Sequence, residues 1–172
     1  GPWMHQYPPF AAPEPRIGSL QEALRGWDHW LKDIDRGVED DPDYTAYLMD
    51  GVRPQTHYEH RDGHWIAENN WPHGLKIQSW HLQNDQTLGT EPAQMRTMIN
   101  SPHTCGLSGG EYCAIWLGAD MPGDQRADDA LSACFTSAEL DQDCDIVGAP
   151  KLALRLQADK PAAQIAVRLN HI

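Results

Sequence analysis

Ser19-Leu20-Gln21-Glu22-Ala23-Leu24-Arg25-Gly26-Trp27-Asp28-His29-Trp30-Leu31-Lys32-Asp33-Ile34-Asp35-Arg36, residues 19–36, is the longest stretch of helical periodicity in the chain. Leu20, Ala23, Leu24, Trp27, Trp30, Leu31 and Ile34 recur at the spacing of one helix face. Ser19 and Glu22 stand three apart, the spacing of a capping box in which hydroxyl and carboxylate each serve the other residue's backbone N–H. Lys32 and Arg36 lie where the helix dipole favours cations, and Gly37 is the expected residue just past the end. The spacing therefore predicts a helix over 19–36. Two Trp on one face need a large partner surface, so this helix is expected to pack against a sheet or a bundle.

Beyond Gly37 the texture changes. Val38 to Asp43 is acidic and ends in Asp-Pro, the composition of a linker. Tyr44–Met49 and His64–Glu68 read as strands, the second entered through a turn at Arg61-Asp62-Gly63. Lys76–Leu82 alternates along its length and runs into a turn at Asn84-Asp85-Gln86. Residues 83–112 are polar, rich in Gly and Pro and without period, a long irregular segment. Leu152–Ala158 and Gln164–Asn170 alternate again, separated by Asp159-Lys160-Pro161. Several short strands and one long helix argue for a mainly β chain, a β-sandwich or jelly roll. The last strand runs to Ile172 with no partner after it, and Gly1 stands where an initiator Met would, so the reading expects a fold truncated at both ends.

Composition sets outer limits. The 172 residues suffice for one domain, or for a small domain and part of another. Hydrophobic residues make up 40% and charged residues 22%, a folded and water-soluble balance. No apolar run reaches the roughly 18–20 residues that span a bilayer, and no signal peptide is evident. Twenty-five acidic residues against 13 basic ones give a net charge of −12, which argues against nucleic acid and anionic membranes as partners. Cys105, Cys113, Cys134 and Cys144 contain no C-x-x-C pair, so a zinc ribbon is not expected. Reduced thiols and a cytoplasmic location are expected from the same spacing and from the lack of a secretion signal.

Few residues carry chemistry. His5, in Gly-Pro-Trp-Met-His ahead of a Pro-rich turn, has two readings. It is a general base, since imidazoles titrate near neutral pH, or it is an ordinary surface histidine. His57, His60 and His64 surround Glu59, but the Asp62-Gly63 turn divides them and a strand would send neighbours to opposite faces, so no metal site is expected. His29 points away from the apolar stripe. Leu107-Ser108-Gly109-Gly110-Glu111 lacks the glycine before the serine that a nucleophile elbow requires. Neither a phosphate loop nor a cofactor motif is present. The residues by themselves make no complete catalytic set.

Three clusters in order do carry a family resemblance: Gly-Pro-Trp-Met-His at 1–5, Ile17-Gly18-Ser19-Leu20-Gln21-Glu22 with Trp27-Asp28-His29-Trp30-Leu31-Lys32, and the late run Pro122-Gly123-Asp124-Gln125-Arg126, Phe135–Leu140, Asp143 and Ile146–Pro150. Together they resemble the cocaine esterase and X-Pro dipeptidyl-peptidase group of α/β-hydrolases. The resemblance implies that residues 1–43 close an α/β-hydrolase domain, with His5 at the catalytic histidine and helix 19–36 lying on the parallel sheet. It implies that residues 44–172 are an incomplete C-terminal jelly roll of galactose-binding-like type. The nucleophilic serine, the acid and the oxyanion donors would lie in a hydrolase portion outside these residues. The implied substrate is a small ester or amide, or an Xaa-Pro peptide, without cofactor or metal. The chain alone is then expected to be inactive. A rival reading is a stand-alone β-sandwich that binds carbohydrate or protein, against which the Trp27 and Trp30 face argues.

Overall fold

The strand expected at Tyr44 and the one expected at His64 find each other. In the computed structural model, which describes residues 1–72, 74–109 and 123–172, they are β1 (Tyr44–Met49) and β2 (Gly63–Glu68). The pair is antiparallel, with Tyr44 opposite Glu68 and Met49 opposite Gly63. Tyr47 and Trp65 face each other across it, edge to face at 5.2 Å, the kind of cross-strand aromatic pair that fixes register. Tyr44 stacks on Trp71 just beyond β2 at 3.9 Å. Gly63 has φ +154°, and a Cβ there would overlap the carbonyl of Leu48, so the strand entry needs glycine. The connecting loop is closed by Tyr58, whose hydroxyl donates to Arg53 O and accepts from Gln55 N–H, and by Arg61, whose guanidinium lies over the Tyr58 ring.

A second, smaller antiparallel pair joins β3 (His81–Leu82) to β4 (Leu88–Gly89). The expected turn at Asn84-Asp85-Gln86 connects them, tied by Thr87 to the Asp85 carboxylate. Thr136 adds backbone bonds on the far side, accepting from Leu88 N–H and donating to Gln86 O. Strand pairing in Lys76–Leu82 is thus confined to its last two residues, and part of the segment read as irregular supplies the partner strand.

Residues 152–158 and 164–170 are not strands in the structure. Alternation predicts a half-buried face, but a strand also needs a neighbour for its N–H and C=O groups. Among the described residues neither segment has one, and Leu152, Leu154, Leu156, Ile165, Val167 and Leu169 are exposed. Arg168 ties this end to Gln125 and Asp129. Strands outnumber α-helices four to two among the described residues, and beyond residue 37 the helical content is one four-residue turn and two 3₁₀ turns. The mainly β class stands, as separate antiparallel ladders and not as a closed barrel.

Helix α1 runs Ser19–Lys32, shorter than the periodicity predicts. Asp33 takes the left-handed conformation (φ 56°) and its N–H returns to Asp28 O. Aspartate tolerates that conformation, and the acidic pair Asp33 and Asp35 opposes the dipole at a C-terminus, so the helix stops there. Gly37 instead precedes a 3₁₀ turn at Val38–Asp40. Nor does the capping box form: Gly18 is the N-cap, which leaves the Ser19 hydroxyl one residue too far in, and Glu22 pairs with Arg25 at 3.0 Å. The largest departure is the apolar face. Trp27 is 58% and Trp30 62% exposed, with Leu20, Leu24 and Leu31 beside them, and no described residue covers the stripe.

The acidic linker folds back on α1 through ion pairs. Asp28, only 7% exposed, accepts from Lys32 Nζ at 2.6 Å and Arg36 Nη2 at 2.9 Å. Arg25 reaches Asp41 from the other side. Lys32 first, then Arg36, hold the Asp28 carboxyl below the usual aspartate range. A carboxylate depressed in the folded state stabilises that state above its unfolded value of about 3.9, and the contribution is lost as pH falls through the lower folded value. Acid titration is expected to free residues 33–41 only below about pH 4, followed through the Trp30 emission and the Ile34 amide. Asp28→Asn is expected to remove that step; an unchanged acid transition in the variant would refute the assignment.

A second buried carboxylate organises the other end. Helix α2 (Arg126–Asp129) places Asp128, 3% exposed, against the 3₁₀ turn Leu107–Gly109. Its two oxygens accept the N–H groups of Gly106 at 2.8 Å and Ser108 at 3.0 Å. Ser101 Oγ donates to Leu131 O and Ser132 Oγ to Asp128 O, closing the same joint. No helix among the described residues is long and apolar enough to cross a membrane.

Candidate catalytic histidine

The apolar residues most completely covered in the described structure are not in a sheet. Ala11 and Pro13 are fully buried inside the N-terminal loop, and Pro2 is buried beside them. The proline-rich sequence has few N–H groups to satisfy, so a handful of bonds closes the loop. Trp3 Nε1 donates to Pro15 O at 2.7 Å, Met4 N–H to Ala12 O at 2.8 Å, and Arg16 Nε to Ala11 O at 3.0 Å. Gln6 N–H returns to Met4 O at 2.7 Å, and this tight bend carries His5 at its tip. The imidazole is exposed and makes no hydrogen bond among the described residues. It stands on the surface with a free ring, available to a group that approaches from outside.

The loop is also fastened to the β1–β2 connection. Glu14 N–H donates to Glu59 O at 2.8 Å and Arg61 N–H to Glu14 O at 3.0 Å, a parallel bridge across the two segments. Beside this bridge lies an open cavity of about 420 Å³ lined by Ala12, Glu14, Arg16, Glu59 and His60. It holds charges of both signs and no serine, threonine or cysteine.

Among the described residues the other histidines do not gather into one site. His60 sits 3.6 Å from Asp62, and His64 is on the exposed side of β2. No group of three potential metal ligands occurs among the described residues. His29 Nδ1 accepts the Arg36 N–H at 3.3 Å, and the ring meets Trp30 edge-on. Ser108 lies in a 3₁₀ turn with its N–H spent on Asp128, not at a strand-to-helix elbow. Cys105, Cys134 and Cys144 are free thiols. His73, Gly110, Glu111 and Cys113 lie outside the described residues.

Sequence reading missed Asp28 and Asp128. Asp28 with Lys32 is an i, i+4 pair, visible in principle. Asp128 left no local signal, because its partners lie about 20 residues away.

Residues 36–172 match the family model of the X-Pro dipeptidyl-peptidase C-terminal non-catalytic domain. The chain belongs to that family. The match covers β1 to the C-terminal segment and begins just after α1, so the His5 loop and the exposed helix face precede the matched domain. No curated protein and no solved structure matches the chain. Membership in the X-Pro dipeptidyl-peptidase group makes this a peptidase-family protein, and the domain it identifies is the one that does not carry the chemistry.

Proposed function

We propose that this chain is the C-terminal part of a serine hydrolase that cleaves esters, amides or Xaa-Pro peptides, with residues 1–43 closing its α/β-hydrolase domain. The observation that carries the proposal is the order of parts. A Gly-Pro-Trp-Met-His loop with a free, exposed imidazole and a helix with an uncovered double-Trp face lead directly into a family-matched non-catalytic domain. In this reading His5 is the general base. It takes the proton of a serine hydroxyl as that oxygen attacks the carbonyl, then returns it to the leaving alcohol or amine. The serine, the acid that orients His5 and the oxyanion donors belong to the hydrolase domain.

The surface supports the same reading. The exposed stripe of Leu20, Leu24, Trp27, Trp30 and Leu31 calls for a cover, and it is suited to a sheet.

A fluorophosphonate reagent tests the division of labour. It is expected to leave the 172-residue chain unlabelled and to label one serine in the hydrolase that contains it. In the same pair, acrylamide is expected to quench Trp27 and Trp30 in the chain and to lose access to them in the whole enzyme. A labelled serine within residues 1–172 would overturn the proposal.

A further inference from the structure

We propose that Trp3 is a positioning residue for His5, and that it works by anchoring the His5 loop to the non-catalytic domain. The inference rests on the general-base reading of His5 and adds what holds that base in place. A general base acts only within hydrogen-bond reach of its nucleophile, and a displacement of about 1 Å can cost about 100-fold in rate. His5 lies on a bend, on neither helix nor strand, and its ring is held by no side chain among the described residues. Its placement is therefore set by the backbone on either side.

Among the described residues, a continuous line of hydrogen bonds supports that backbone. The Met4 N–H, adjacent to His5, is bound by Ala12 O. The Trp3 indole N–H is bound by Pro15 O at 2.7 Å and is partly shielded from water. Glu14, between those two acceptors, exchanges backbone bonds with Glu59 and Arg61. Arg61 in turn is fixed to the β1–β2 hairpin: its carbonyl accepts the Tyr47 hydroxyl at 2.9 Å and its Nη2 donates to Asp50 O at 3.1 Å. Trp3 is the side chain that closes this line at the end nearest His5. Through it, a domain without catalytic groups fixes the position of one.

Trp3→Phe keeps the ring and removes the donor. In the 172-residue chain it is expected to speed hydrogen exchange of the Met4 amide by about tenfold, the effect of one lost hydrogen bond, and to raise backbone mobility at His5. The amides of Leu48 and Ile66 in the hairpin keep their wild-type exchange. Benzothienylalanine at position 3, which lacks only the N–H, is expected to behave alike; it decides the matter if Trp3→Phe also loosens the hairpin. Met4 exchange that stays at the wild-type rate with the isostere overturns the anchoring role. In the whole hydrolase, Trp3→Phe is expected to lower kcat about tenfold while KM holds. Should His5→Ala remain active, the general-base reading fails and the catalytic part of this proposal with it, whereas the exchange result reports on the anchor alone.

Discussion

His5→Ala is expected to lower kcat for ester or amide hydrolysis by on the order of 10⁴- to 10⁶-fold in the hydrolase that contains this chain. The size follows from what the residue does in the proposed mechanism. Without a base, the serine hydroxyl attacks with its proton still attached, and the leaving group departs without one. Oxyanion donors and substrate binding continue to act, which is why a residual rate remains above that of water. KM is expected to change little, because a base that touches only the reacting proton contributes little to ground-state binding. The exposed bend bears on the control: no described residue bonds to the His5 ring, so its loss costs the fold little. Unchanged urea midpoints for His5→Ala, alongside the loss of rate, separate chemistry from folding. Activity within tenfold of wild type would remove His5 from the mechanism.

Local pattern gave away the elements whose causes are local. The β1–β2 hairpin was legible because two short strand-like runs, a glycine turn and facing aromatics lie within 25 residues (44–68). The start and face of α1 were legible too, since periodicity survives whether or not the face is covered. Its end was not, because Asp33 competes with the periodicity of Ile34. The C-terminal alternation misled for the opposite reason. Period 2 states which side of a strand is apolar, but it names no partner for the backbone. Ion-pair joints such as Asp28–Arg36 and Arg168–Asp129 were invisible as sites, because charged residues are common on any surface and only geometry distinguishes those that hold two segments together. For His5 the resemblance implied a role, and the structure shows the hydrogen-bonded loop that carries the residue.

Asp128→Ala is expected to destabilise the chain by about 3 kcal/mol, among the largest effects of any single substitution outside the N-terminal loop. Asp128 is 3% exposed, and both carboxylate oxygens serve backbone N–H groups, those of Gly106 and Ser108. Alanine would leave both donors facing a site that water reaches poorly, and an unmet buried donor costs about 1–3 kcal/mol. Asp128→Asn is expected to lose less, since its amide oxygen still serves one of them while its NH₂ opposes the other. The neighbouring Asp129, bound to Arg168 at the surface, gives the contrast: Asp129→Asn is expected to cost under about 1 kcal/mol. A second readout localises the damage. The Cys105 thiol bonds to Asp128 O and Ser132 Oγ in the same joint, whereas Cys144 is exposed and bonds to Asp145 O. Asp128→Ala is therefore expected to speed the reaction of Cys105 with a thiol reagent and to leave Cys144 unchanged. A urea midpoint and a Cys105 rate that both match the wild type would show that Asp128 does not hold residues 101–109 to α2.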